Sequence, residues 1–134
     1  MSDRAPSFED LYEDAPCGHL IISADGRLAR VNRTMSRWLG YEPTNLVGKR
    51  LLDILTIGGK VYWETHVRPL LRMQGSVEGI PLDFVQREGG VVPAFGSVTM
   101  VHNADGADVE TRLAIFKAVE RRQFEQGLVS ARKV

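Results

Sequence analysis

A chain of 134 residues has room for one domain with its own apolar core, and needs neither disulfides nor metal to hold it together. Seventeen basic and seventeen acidic residues cancel, so the overall charge supplies no pull toward nucleic acid or an anionic membrane. The single cysteine, Cys17, excludes an internal disulfide and a cysteine-based zinc cluster, and fits a reducing compartment. No apolar run reaches membrane-spanning length, and Met1 to Pro6 lacks the apolar core of a signal peptide. The expectation is a cytoplasmic chain with no membrane segment.

Ser7 to Asp14 predicts a short N-terminal cap helix, with Ser7 and Asp10 at capping-box spacing and Phe8, Leu11 and Tyr12 on one face. Gly18 to Ser23 is rich in β-formers, Asp25-Gly26 supplies the positive-φ residue of a hairpin turn, and Arg27 to Val31 alternates as a half-buried strand does. Asn32 then caps a helix whose apolar residues Met35, Trp38 and Leu39 recur at helical spacing, and Gly40 ends it. At the other end of the chain, Val119 to Val134 is charged and helical in propensity, with Phe124, Leu128 and Ala131 forming a short seam that Gly127 weakens.

This order of strand, tight turn, strand and Asn-capped helix resembles the opening of a PAS domain, the small sensory module of signalling proteins. The resemblance runs from about Phe8 to Arg122. Gly40-Tyr41, the stretch to Gly48 and the Leu51 to Leu55 turn are similar to the family's short middle helices. Gly59 to Gly75 is similar to the long connecting helix of PAS domains that precede bacterial kinases, phosphatases and cyclic-dinucleotide enzymes. Val77 to Arg87, Val91 to His102 and Val109 to Ala118, separated by Gly89-Gly90 and Asn103 to Gly106, match the closing antiparallel meander. The fold class implied is α+β, a five-stranded antiparallel sheet with helices packed on one face and the first strand beside the last. The organisation is a cap helix over 1–14, a PAS core over 15–118, and a linker helix over 119–134 leading toward an effector domain. Glu120-Arg121-Arg122 stand where the family's strand-to-helix junction begins, but Lys117-Ala118-Val119 replace its usual Asp-Ile-Thr-like triplet.

Catalytic signatures are missing. His19, His66 and His102 fall in no triad arrangement, there is no G-x-S-x-G elbow, and Gly58-Gly59-Lys60 lacks the spacing and the following Ser or Thr of a phosphate loop. Glu64 and His66, two apart on a helix, point in different directions and do not make a metal site. The chain itself is therefore read as no enzyme, whether its parent is a histidine kinase, a phosphatase or a diguanylate cyclase. No cofactor is expected. The flavin photosensors of the family use a cysteine in a short helix of another type, whereas Cys17 opens the first strand. Haem-binding relatives carry an axial histidine on the connecting helix, which makes His66 the residue haem would use.

A pocket is expected between that helix and the sheet. Trp63, Val67, Leu70, Leu71 and Met73 turn toward the sheet, with Pro69 kinking or restarting the helix. His66 lies on the same helix. Ile80, Leu82 and Phe84 share one strand face, and opposite them stands Phe95 or its neighbours Ala94 and Gly96, depending on register. The candidate lining is thus Trp63, His66, Leu70, Met73, Phe84 and Phe95. Small residues at Ala94, Gly96 and Ser97 leave room for an apolar ligand, and the same residues equally well fill one another's volume as ordinary core.

The outer sheet face also reads as apolar, with Ile21 flanked by Leu20 and Ile22, and Ala114 and Phe116 alternating with Leu113 and Ile115. A homodimer through this face and the N-terminal helix is expected. The leading function is a regulatory input module of a sensor histidine kinase or another two-component protein, passing ligand or packing changes to the C-terminal helix. The alternative is a free-standing binding or enzymatic domain using Asp83 and His66, although Asp83 falls on the strand face opposite Leu82 and Phe84.

Overall fold

The computed structural model describes residues 5–102, 104–106 and 108–118. The linker over 119–134, with Phe124, Leu128 and Ala131, lies outside the described residues.

Strand β1 (Gly18–Ser23) turns through Gly26, at φ 83°, into β2 (Leu28–Val31). Helix α2 (Arg33–Leu39) follows, then the short α3 (Pro43–Leu46) and a 3-10 turn at Leu51–Ile54. The long connection comes next as α4 (Ile57–Tyr62), a π-type turn (Trp63–Val67) and α5 (Arg68–Gln74). Strands β3 (Ser76–Val85), β4 (Val91–His102) and β5 (Asp108–Lys117) complete an antiparallel sheet ordered β2-β1-β5-β4-β3. The first strand lies beside the last, as the sequence reading expects.

Alternation splits the sheet into two faces. Leu20, Ile22, Leu82, Val98, Leu113 and Ile115 point inward and are at most 4% exposed, so each contributes about 1.5–3 kcal/mol of burial to the core. Helix α2 packs so closely on β1 that a Cβ at Gly18 would lie 2.5 Å from the Met35 sulfur. Glycine there is a packing requirement.

Pro69 explains the irregular middle of the connecting helix. It has no N–H to donate, and its ring crowds the preceding turn of an ordinary helix. The chain widens just before it, with the Arg68 N–H reaching back five residues to the Trp63 carbonyl. Helical winding then continues without a break through Gln74 and stops at Gly75, where φ is 79°.

The N-terminal segment is tied to the start of α2 by several side chains: the Thr34 hydroxyl donates to the Ala15 carbonyl at 2.6 Å, Arg33 pairs with Asp14 at 2.6 Å, and Asn32 makes the central link. Asn32 is fully buried, and its oxygen accepts from the His19 and Met35 N–H groups at 2.9 and 3.1 Å. Its amide donates to the Tyr12 and Cys17 carbonyls at 2.8 and 3.1 Å. The cap that starts α2 therefore also fixes the path of residues 12–17. Helix α1 (Phe8–Glu13), capped by Ser7, lies against the outer side of the hairpin through Tyr12, while the Glu13 carboxylate accepts from the Arg33 N–H at 2.8 Å. The Tyr12 ring stacks on His19 at 5.4 Å and lies beneath the Arg30 guanidinium at 4.8 Å. Phe8, 91% exposed, and Leu11, 55% exposed, touch little, so the expected apolar face of the cap helix does not cover its own sheet.

Candidate functional site

A cavity of about 420 Å³ opens where the β1–β2 turn, the 3-10 turn and the π-type turn meet. Its apolar wall is Ile22, Leu51, Leu52, Trp63, Leu71 and Met100. Charged and polar groups form the rest: Ser23 and Asp25 from the hairpin, Arg50 before the 3-10 turn, and Glu64, Arg68 and Arg72 along the connecting helix. Glu110 and Thr111 of β5 close the last side. The size falls in the range of small-molecule sites, about 300–1,000 Å³.

The π-type turn decides which helix residues reach this cavity. One extra residue in a single turn rotates everything after it about the helix axis by most of a residue step. Trp63, Val67 and Leu71 then share the inward face, at 8%, 0% and 4% exposure. An uninterrupted helix would have centred that face on Leu70 instead.

Of the six residues expected to line a pocket, Trp63 alone does so. Leu70 is displaced to the flank of the helix and is half-buried, and Met73 is carried out to solvent at 81% exposure, both because of the π-type turn. His66 is exposed, its ring stacked on Tyr62 at 5.1 Å and its Nδ1 2.8 Å from the Thr65 hydroxyl, so it does not face the sheet. Phe84 points inward but is completely buried, with its backbone bridging to Leu55, and it fills core volume. Phe95 lies on the outer face, because the β3–β4 register places Ala94 and Gly96 inward opposite Leu82 and Ile80. The room expected beside those small residues is taken. A Cβ at Gly96 would lie 2.8 Å from both the Ala114 carbonyl and the Ile115 Cδ1.

Asp83 pairs in register with Pro93 on the outer face, and its carbonyl accepts from the Thr56 N–H at 3.0 Å. The sheet therefore separates its side chain from His66. Of this lining the sequence reading placed Trp63 and Leu71 at a pocket and missed the rest, including the charged wall of Asp25, Arg50, Glu64, Arg68, Arg72 and Glu110. Glu64, Arg68 and Arg72 recur every four residues, which in a sequence reads as a solvated stripe; only the folded hairpin turn makes it a wall.

Phe95 stacks on Phe116 of β5 at 5.6 Å on the outer face, where Phe116 is 43% exposed and Val91 53%. A second concavity, of about 390 Å³, runs beside Phe116 between Pro16, Thr34, Arg37, Trp38 and Lys117. The Lys117 ammonium stands 5.0 Å over the Trp38 ring, joining the end of β5 to α2.

Comparison with known proteins agrees with this architecture. The family described as "PAS domain" matches residues 16–117. The chain belongs to the PAS family. Over 119 residues it is 29% identical to the phosphoserine phosphatase RsbP of Bacillus subtilis (strain 168), covering 89% of this chain and 29% of that protein. The PAS domain thus corresponds to less than a third of that relative's length. Two solved structures share the fold. One is a PAS domain from a two-component sensor histidine kinase, with TM-score 0.68 and 15% identity over 81% of this chain and 91% of that one. The other is an RNA-binding light-oxygen-voltage receptor, with TM-score 0.76 and 15% identity over all of this chain and 40% of that one. This PAS domain is a sensory signalling module, and among its described residues no helix is long and apolar enough to cross a membrane.

Proposed function

We propose that the chain is the input module of a larger cytoplasmic signalling protein, a sensor histidine kinase or another two-component or phosphorelay regulator, and that it takes its signal at the cavity beside Trp63. One observation carries the reading: Glu110 and Thr111 line the cavity and belong to β5, the strand that leads to residue 118 and on toward the linker. A ligand seated there bears directly on the strand whose far end is held by the Lys117–Trp38 contact and by the Ala118 N–H on the Pro93 carbonyl at 2.9 Å. The segment 119–134 serves as connector to an effector, and the match to under a third of a regulatory phosphatase supports that placement.

The working unit of this reading is a homodimer joined through the outer face around Phe95 and Phe116, with Phe8 and Leu11 of α1 adding to the apolar surface. Neither flavin-adduct nor haem chemistry belongs to it. Cys17 lies beside His19 at 3.4 Å rather than at the cavity, and His66 engages Tyr62 and Thr65.

The test uses the full-length protein that carries this chain. Removing residues 15–118 should abolish regulation of the effector while leaving its basal activity, and regulation that survives the deletion would overturn the proposal. Sedimentation of the intact chain at about tens of micromolar, a range typical of weak association, should show a dimer. Phe95→Ser with Phe116→Ser should give a monomer, and a monomeric wild type removes the dimer from the reading.

A further inference from the structure

Three carboxylates and three arginines line the Trp63 cavity, but they do not all pair off with one another. Each carboxylate is already engaged by a partner. Glu64 pairs with Arg68 at 3.1 Å, Glu110 with Arg112 at 3.2 Å, and Asp25 with Arg27 at 3.8 Å while accepting from the Ser23 hydroxyl at 2.5 Å. Arg50 and Arg72 also line the cavity, and neither guanidinium has an acidic partner among the described residues. The nearby Asp53 accepts from the Arg50 backbone N–H at 3.3 Å, with no ion pair between the two side chains.

We infer that the cavity binds a small amphiphile, an oxyanion head on an apolar body, with Arg50 and Arg72 holding the head and Trp63, Leu71 and Met100 receiving the body. A guanidinium offers a planar fork of donors that matches carboxylate and phosphate oxygens and keeps its charge at every physiological pH. Two such forks with no internal counter-charge leave a positive rim. The wall beneath is apolar and mostly buried, which favours a ligand that carries a hydrocarbon or aromatic part over inorganic anions alone. The lining carboxylates are already paired, two of them with Arg27 and Arg112 outside the lining, so an anion bound by Arg50 and Arg72 displaces no existing ion pair. The inference rests on the reading that this cavity is where the module takes its signal.

The test titrates the intact chain with 3-phenylpropionate, phenyl phosphate and the neutral 3-phenylpropionamide, followed by tryptophan fluorescence and calorimetry. At least one anion should bind tenfold or more tightly than the amide, and its affinity should fall as salt rises from about 0.05 to about 0.5 M. The two anions separate a carboxylate from a phosphate head. Arg50→Gln with Arg72→Gln should erase the preference for anion over amide, and because both side chains are exposed its thermal melt should match wild type. Equal binding of amide and anion, a preference that survives the double substitution, or no binding of either anion overturns the inference. Hydrogen exchange along β5 in the same samples keeps the two readings apart. Arginine-dependent binding that leaves β5 protection unchanged upholds the ligand class and sinks the sensory role. Altered regulation in the full-length protein without anion preference does the reverse.

Discussion

The side-chain amide of Asn32 donates to the backbone carbonyl of Tyr12 at 2.8 Å, so a helix cap in the core also holds the segment that precedes the first strand. Three further bonds from the same side chain leave none of its polar capacity idle. Asn32→Ala should cost about 3 kcal/mol, from a lost cap of about 1 kcal/mol and the buried donors and acceptors left unpaired. Asn32→Asp keeps the acceptor for His19 and Met35 but loses both donated bonds. It should melt between wild type and Asn32→Ala, with hydrogen exchange rising first in α1.

Two glycines should respond in opposite directions. Gly96→Ala forces a Cβ to within 2.8 Å of the Ala114 carbonyl in the neighbouring strand, and overpacking of that kind costs about 1–3 kcal/mol. Gly58 sits in α4 with nothing within 4 Å of where a Cβ would stand, so Gly58→Ala should raise stability by about 0.5–1 kcal/mol. Urea melts of the two variants check both signs.

The π-type turn makes a prediction that an uninterrupted helix would not. Leu71→Ala should cost about 2–5 kcal/mol, as for a buried leucine, whereas Met73→Ala at a solvent-facing position should change stability by less than about 0.5 kcal/mol. Similar costs for the two, measured by chemical denaturation, would refute the inward phase described for α5.

Burial holds the His19 imidazole below its ordinary value. The unfolded chain therefore takes up a proton at this site first as the pH drops below about 6.5. Because the unfolded state binds more protons between that value and the lower folded value, stability falls with pH through this window and levels off beneath it. Above about 6.5 the contribution is fully present. Denaturant midpoints at several pH values should show this decline, and His19→Gln should flatten it. An unchanged slope in the variant would assign the decline to other groups.

Much of the fold was legible because it is written in local chemistry. Asn32, Gly40 and the Asp25-Gly26 turn act through their own backbone neighbourhood, and the structure shows the cap, the left-handed stop and the positive-φ turn where the residues stand. Strand alternation likewise shows in the buried set Leu20, Ile22, Leu113 and Ile115. The pocket was not legible. Its reading allowed for a kink or restart at Pro69 but not for the change of helical phase that a π-type turn brings, and it left open whether Phe95 or Ala94 and Gly96 faced inward. One inserted residue in the π-type turn and one choice of register moved Leu70, Met73 and Phe95 off the site.

By itself the sequence determined the elements, their order and the family, since caps, turns and two-residue alternation depend on contacts within a few positions of each residue. Tertiary structure alone decided what the site is made of. Arg50 and Arg72 are 22 positions apart, and they share a cavity only because the hairpin turn folds over the connecting helix and pairs backbone Arg27 with Arg50. The ion pairs at the cavity are local, Asp25–Arg27, Glu64–Arg68 and Glu110–Arg112 standing two or four positions apart, but which charges share one cavity depends on distances between elements that no local pattern encodes.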